Sequence, residues 1–341
     1  MGYRAEKEKA ERIRKILKRI LLGVLLFCIA GLAIFSAVVP PVTWKYHVKL
    51  PKIAARGEGD LRIHFLDVGQ GDSTLIELPD GKIVLIDGGN SAKSTEKHVL
   101  RYLNALKIDT IDYLVVTHAD VDHCGGLNEV VKYKGVRNAY LPLTEIEKGS
   151  EYARLHATLM ERNCNWVYGS SSAEDIISTN EKYDFHAKFL YPHSDTVDES
   201  ISSGKLPDGK LDNYYSTVLY LEYGGIRALF TGDIPLEIEN HLKQGDALGL
   251  YENMNVKLKN LDVLKVAHHG SGTANGWDFL QYTSPNTAVI SCGKNNPYGN
   301  PSQTVLARLN EVEADVYRTD MHGNVVVTIS QNGGVYAVSL V

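Results

Sequence analysis

Two hydrophobic patterns divide the chain. From Ile20 to Val39 it runs twenty residues without a charged side chain. As an α-helix that stretch rises about 30 Å, the thickness of a bilayer's hydrocarbon core. Pro40-Pro41 stands where the helix would stop, and Trp44 and Tyr46 fall where an interfacial aromatic belt belongs. The run exceeds the roughly 7–15 apolar residues of a cleaved signal peptide, and no clean small-residue cleavage site follows it. An uncleaved membrane anchor over residues 20–39 is therefore expected. After a linker over 40–60, broken by Pro51 and Gly57-Glu58-Gly59, the pattern changes to short apolar or alternating runs. Leu61–Leu66, Ser73–Leu78 and Lys82–Ile86 read as a β-meander, cut by Gly69/Gly71 and by Pro79-Asp80-Gly81. Residues 94–105 read as a helix, with Val99, Leu100, Leu103 and Leu106 at helical spacing. Tyr113–Thr117 and Val263–Ala267 read as buried strands, and Ser150–Arg162 and Ser302–Asn310 as helices. Hairpins are expected at Thr217–Glu222/Ile226–Phe230 around Gly224-Gly225, and at Asn324–Ser330/Val335–Leu340 around Asn332-Gly333-Gly334. The polar stretch 169–215 is expected to hold long loops. This alternation predicts an α/β fold with two layers of sheet covered by helices.

Charge separates the same two parts. Residues 1–19 carry eight Lys and Arg against three Glu, a net +5, which leaves −10 for the rest of a chain whose total is −5. A basic segment before the apolar run places that tail in the cytoplasm and the body outside. Charged residues at 23% and hydrophobic residues at 44% exclude a wholly disordered chain, and four Cys exclude a disulfide scaffold. Cys124, Cys164 and Cys292 read as small packed thiols. An acidic body offers a polyanion no global attraction, so contact with nucleic acid would depend on local groups such as Lys257, Lys259 and Lys265.

The candidate chemistry sits at strand ends. His118, Asp120, Asp122 and His123 place four potential metal ligands within six residues, directly after the apolar run Tyr113–Thr117 and before Gly125-Gly126. A second apolar strand ends in Thr231-Gly232-Asp233, and a third ends in His268-His269-Gly270-Ser271. Three strand ends, each delivering His or Asp, imply one shared site at a sheet edge. Asp67 and Asp72 flank a fourth turn, Gly69-Gln70-Gly71.

HADVDHCGG, FTGD and KVAHHGS, as they stand at residues 118–126, 230–233 and 265–271, resemble the motifs of the metallo-β-lactamase superfamily. Over roughly residues 60–341 the chain is also similar to the C-terminal hydrolase domain of ComEC-type DNA-uptake proteins. The matching stretches include FLDVGQGDSTLIELPDGKIVLIDGG, VISCGKNNPYGNP and VYRTDMHGNV. The resemblance implies an αββα sandwich over 61–341 and a site for two divalent metal ions, zinc or manganese. It puts His118 and Asp120 on one metal, with Asp233 as the bridge. The second metal takes Asp122, His123 and one histidine of the pair. With His268 in that position, His269 remains as proton donor to the leaving group, while Asp122 or Asp233 orients the attacking hydroxide. Ser271, Thr273, Asp72, Asn213 and Ser216 are the implied substrate neighbours.

Three departures stand out. Asp120 replaces a histidine found in many relatives, the stretch Asp212-Asn213-Tyr214-Tyr215-Ser216-Thr217 supplies no further histidine, and Asn300 stands where YGHP is usual. An oxygen-rich first position favours Mn²⁺ as a competitor of Zn²⁺ and does not match a β-lactamase proper. The expected function is thus a membrane-anchored, exported, metal-dependent phosphodiesterase or nuclease acting on nucleic acid. The alternatives are a phosphoesterase of envelope esters such as phosphorylcholine, and a non-catalytic metal- or DNA-binding module. The sequence sets no oligomeric state.

Overall fold

Gly2–Val38 forms one continuous helix of 37 residues in the computed structural model, which describes residues 2–39, 41–91, 93–177, 182–195, 199, 213–331, 334 and 336–341. Within it Lys7–Ala37 is long and apolar enough to cross a membrane, and its leucines and Phe27 are exposed. Pro40 lies outside the described residues. Trp44 turns back on the helix end, donating its indole N–H to Val39 O at 3.0 Å and packing against Phe35. The chain divides into two compact units, residues 1–49 and 50–341.

In the second unit β1 (Leu61–Phe65), β2 (Thr74–Glu77) and β3 (Ile83–Ile86) form the expected antiparallel meander. β3 pairs in parallel with β4 (Thr110–Val115), and β5 (Gly135–Leu141) and β6 (Asn165–Tyr168) continue the parallel run. The crossovers carry the helices Lys93–Ala105, Leu127–Tyr133 and Glu151–Glu161, the last capped by Ser150, whose side chain accepts from Ala153 N–H. The stretch expected to hold long loops contains strands instead: β7 (Ile176–Ile177) and β8 (Phe185–Tyr191). Its composition misleads because Phe185, Ala187 and Phe189 are buried at period two among polar neighbours.

β9 (Val218–Tyr223) and β10 (Ile226–Phe230) form the Gly224-Gly225 hairpin, both glycines having positive φ, the turn geometry that suits the twist of paired strands. β11 (Val263–Lys265), β12 (Thr287–Ile290) and β13 (Asp315–Arg318) add in parallel. β14 (Val325–Ile329) and β15 (Tyr336–Leu340) pair as the final hairpin, whose turn residues Asn332-Gly333 lie outside the described residues. Among the described residues the sheets run β15-β14-β1-β2-β3-β4-β5-β6 and β13-β12-β11-β10-β9-β8-β7.

Their inner faces share one core, in which Ile63, Phe65, Ile76 and Val84 join Phe189, Leu219, Leu221 and Phe230. On the outer face of the second sheet Leu229 and Leu264 pack with Ile238, Leu242, Phe279, Leu280, Val305 and Leu309 of three helices. The layers are therefore helix, sheet, sheet, helix.

The first sheet's outer face buries a polar network. His64 Nε2 lies 2.8 Å from Glu77 Oε1, and Tyr102 O–H donates to His64 Nδ1 at 2.9 Å. Arg62 Nε donates to the same carboxylate at 2.8 Å. Burial holds His64 below its ordinary pKa, outweighing the pull of Glu77. For Glu77, burial is overcome by its bonds to His64 and by Arg62, which hold it below the usual carboxylate range. Both groups bind protons more weakly folded than unfolded, so their stabilisation is lost as pH falls: for His64 below about 6.5, for Glu77 below about 4.5. The melting temperature should decline between pH 7 and 5 in the native chain and decline less in His64→Gln. Equal slopes in the two proteins would contradict this account.

Candidate metal centre

The site lies at the seam where strand ends of both sheets meet. β4 runs on through Val116 and Thr117 to His118, whose neighbours fold into the short helix Val121–Cys124. β10 and β11 are parallel and in register, Phe230 opposite Lys265, so Asp233 and His268 emerge side by side, and His268 N–H donates to Gly232 O at 3.2 Å. The turn after β1 supplies Asp72 and the turn after β3 supplies Asp87.

Backbone bonds lock these turns together. Asp72 N–H donates to Asp122 O, Gly88 N–H to His123 O, and Gly126 N–H to Gly89 O, at 3.1, 2.8 and 2.8 Å. A Cβ at Gly71 would lie 2.2 Å from Asp122 O, and one at Gly126 would lie 2.0 Å from Gly88 O. The Gly-Gly after the histidine is thus a steric requirement of close backbone approach.

Three imidazoles share one arrangement. His123 Nδ1 donates to Asp87 Oδ2 at 2.8 Å. His269 Nδ1 donates to Ser291 O at 3.0 Å. His118 Nδ1 lies 3.0 Å from Thr117 Oγ1, which donates its own proton to Asp87 Oδ2 at 2.6 Å. Each ring's outer nitrogen is engaged, and each Nε2 is buried without a hydrogen-bond partner, as is Asp233 Oδ1. Asp233 Oδ1 lies 3.4 Å from His123 Nε2, and its Oδ2 3.5 Å from His269 Nε2. Asp122 Oδ2 is 3.2 Å from His269 Nε2. Ligand atoms of Asp72, His123, Asp233 and His269 all lie within 4.8 Å of one another. Buried imidazoles with bare Nε2 atoms and a tethered Nδ1–H, converging on carboxylates, are the donor set and tautomer of divalent-metal sites.

The electrostatics agree. Burial alone would lower His269, but Asp233 and Asp72 hold it up, to about 10. His123 is raised in the same way by Asp233 and Asp87 against its burial. Asp233 is held well below the usual carboxylate range by His123 and His269, although burial opposes this. The carboxylates make this a place that stabilises positive charge.

Other expectations are rearranged. His269, not His268, is the buried member of the pair; His268 is half-buried, its Nε2 3.8 Å from Asp233 Oδ2. Both adopt left-handed backbone, φ 49° and 55°, at a cost of about 1–2 kcal/mol each, and this turns the two rings apart. Asp120 is largely exposed, with Oδ2 3.7 Å from His118 Nε2. Asp72, expected beside the substrate, lies inside the cluster and pairs with Lys265. Ser216 is buried and accepts from Asp233 N–H at 3.2 Å, so it supports that loop from beneath. Ser271 and Thr273 are hydrogen-bonded to each other at 2.9 Å, and Thr273 Oγ1 reaches His268 Nδ1 at 3.4 Å. Asn213 closes a turn through its carbonyl, accepting from Ser216 N–H; Asp212 lies outside the described residues.

The three lysines named for contact with nucleic acid are separated, Lys257 and Lys259 lining a cleft with Arg227 that does not include Lys265. Lys265 is buried within the site, its Nζ 3.9 Å from Asp233 Oδ1 and donating to Gly232 O. Lys259 meets Arg227 near the start of β10, the end opposite Asp233. Asp87 and Thr117 escaped the sequence reading, although Asp87 closes an apolar strand as Asp233 does.

A profile described as the metallo-beta-lactamase superfamily matches residues 66–294. ComE operon protein 3 of Bacillus subtilis is 29% identical over 303 residues, 84% of this chain and 35% of that protein. Recombination protein 2 of Haemophilus influenzae is 29% identical over 276 residues, 80% of this chain and 29% of its own length. The chain thus spans about a third of each of these relatives. Endoribonuclease YSH1 of Yarrowia lipolytica is 25% identical over 172 residues, 49% of this chain and 19% of that protein.

Proposed function

The chain belongs to the metallo-beta-lactamase superfamily, and from that premise we propose that it is a membrane-anchored, metal-dependent phosphodiesterase acting on nucleic acid outside the cytoplasm. The observation that carries this reading is the convergence of the tethered imidazoles of His123 and His269, each with a bare Nε2, on Asp233 and Asp72, with the His118 ring beside His123. The names of the relatives, a recombination protein and an endoribonuclease, favour nucleic acid as the substrate class. The proposed organisation is a basic tail (1–19), a transmembrane helix (20–39), a linker (40–60) and a hydrolase domain (61–341), with the N-terminus cytoplasmic.

In this reading Asp122, His123 and His269 would hold one ion, His118 and Asp120 a second, and Asp233 would bridge them. Such ions, zinc or manganese, supply a Lewis acid and lower the pKa of a bound water. The protein's own contribution is orientation. Asp87 fixes the His123 ring, Ser291 fixes His269, and Thr117 couples Asp87 to His118. His268, on the open side of Asp233, is placed to pass a proton to a leaving group, with Thr273 at its other nitrogen. Ser271, Thr273 and Asn213 stand as the substrate-facing polar groups.

The net −10 of the body, with Lys257 and Lys259 away from the site, favours a second reading, a small phosphate ester. One experiment separates them. The full chain, purified in detergent and stripped of metal, is given Mn²⁺ or Zn²⁺ with single- and double-stranded DNA, RNA and bis(p-nitrophenyl) phosphate. Metal-dependent cleavage of nucleic acid is expected. Cleavage of the small ester alone would establish the second reading, and tight metal binding without turnover would sink both. Protease treatment of intact cells should digest the hydrolase domain; its protection would overturn the proposed topology.

A further inference from the structure

The two left-handed histidines do not hold themselves. The segment that carries them is closed by Asn275, six residues beyond His269 and buried at 1% exposure. Its amide oxygen accepts from Ala267 N–H at 3.1 Å. Its amide nitrogen donates to Ala267 O at 2.9 Å and to Ser271 O at 3.3 Å. One side chain thus ties both ends of the turn that contains His268 and His269, using its oxygen and both of its N–H groups.

Asn275 is in turn gripped from two helices. Glu239, in the helix Leu236–Ala247 and equally buried, accepts from Asn275 N–H at 2.6 Å with one oxygen and from Gly276 N–H at 2.8 Å with the other. Arg308, in the helix Gln303–Glu311, donates to Asn275 O at 2.8 Å. Asn275 has φ 60°, a conformation that asparagine tolerates better than most residues.

We infer that Asn275, locked by Glu239, is a positioning residue for the candidate metal centre. Its amide maintains the strained turn that aims His269 Nε2 at Asp122 and Asp233. Neither Asn275 nor Glu239 approaches the cluster directly; both act through the backbone of residues 267–271. Without the amide, Ala267 N–H loses its partner, Ser271 O keeps only the bond from Ala274 N–H, and the histidines relax toward ordinary backbone, withdrawing His269. An aspartate at 275 would not restore the clasp. It can accept from Ala267 N–H but, ionised, cannot donate to either carbonyl.

This inference rests on the proposed metal site, and its test separates the two. The full chain in detergent is stripped of metal and titrated with Co²⁺, following the visible absorbance of the bound ion. Circular dichroism of the metal-free protein checks the fold. Asn275→Ala is expected to bind Co²⁺ roughly 10–100-fold more weakly, the range for loss of groups that orient ligands. His269→Ala should weaken binding at least as much. The double variant should be no weaker than His269→Ala alone, since the amide acts through that ring. Wild-type affinity in Asn275→Ala, or full additivity in the double variant, overturns the positioning role. Wild-type affinity in His269→Ala overturns the metal assignment itself. If Asn275→Ala does not fold, Glu239→Gln carries the test. It retains an acceptor for only one of the two N–H groups and should weaken Co²⁺ binding about 10-fold, the lower end of that range. Unchanged affinity there overturns the inference.

Discussion

Asp233→Asn is expected to lower metal-dependent hydrolysis by about 10³-fold or more while leaving the fold intact. Asp233 is the carboxylate common to the cluster: its oxygens lie 3.4 Å from His123, 3.5 Å from His269, 3.8 Å from His268 and 3.9 Å from Lys265. The asparagine keeps the shape and removes the charge, so packing beneath the loop, including the bond from Asp233 N–H to Ser216 Oγ, is preserved. What disappears is the negative charge that stabilises a cation at this point. Loss of one preorganised donor at an active site costs about 10²–10³-fold, and loss of a shared metal ligand should cost more. Rates on bis(p-nitrophenyl) phosphate with saturating Mn²⁺ or Zn²⁺, beside a far-ultraviolet spectrum of the metal-free variant, give the measurement. Activity within tenfold of wild type would remove Asp233 from the proposed bridging position.

Gly126→Ala should be a severely damaging single-methyl change near the site. The glycine has φ −69°, which alanine adopts freely, so the penalty is steric alone. Its Cβ would stand 2.0 Å from Gly88 O and 3.3 Å from Gly89 O, both rigid backbone. Relief requires parting the turn after β3 from the turn after β4, which breaks Gly126 N–H to Gly89 O and Gly88 N–H to His123 O. Those turns carry Asp87 and His123, so stability and activity should fall together. Overpacking of this kind costs about 1–3 kcal/mol, or roughly 2–5 °C in melting temperature for a domain of this size. An unchanged melting temperature would show that the turns separate at little cost.

Much of the fold was legible because its signals are local. The hairpin at Gly224-Gly225, the capped helix after Ser150 and the meander before Asp87 each follow from turn chemistry and period within a short window. The strand β8 was not legible. Its alternating Phe185, Ala187 and Phe189 sit in a polar neighbourhood, and only the opposing sheet reveals which face is buried. At the site, His118, Asp122, His123 and Asp233 were legible as acids and imidazoles at strand ends. Asp87 was not singled out, because a lone Asp after an apolar strand is ordinary until His123 and Thr117 are seen to converge on it.

By itself the sequence determined the separation of a basic, apolar N-terminal segment from an acidic α/β body, and the strand ends that present acids and imidazoles. Spacing along the chain and the preferences of turns and strands suffice for that. Tertiary structure decided how those groups are used. His268 and His269 are adjacent and chemically identical. Which of them enters the cluster depends on two left-handed residues, held by Asn275 and by a glutamate from a separate helix. Lys265 is one more apolar-strand lysine in the sequence, but in the folded chain it is a buried counter-charge to Asp72, a partner from the other sheet. Such choices depend on groups far apart in sequence that meet only when both sheets close on one core.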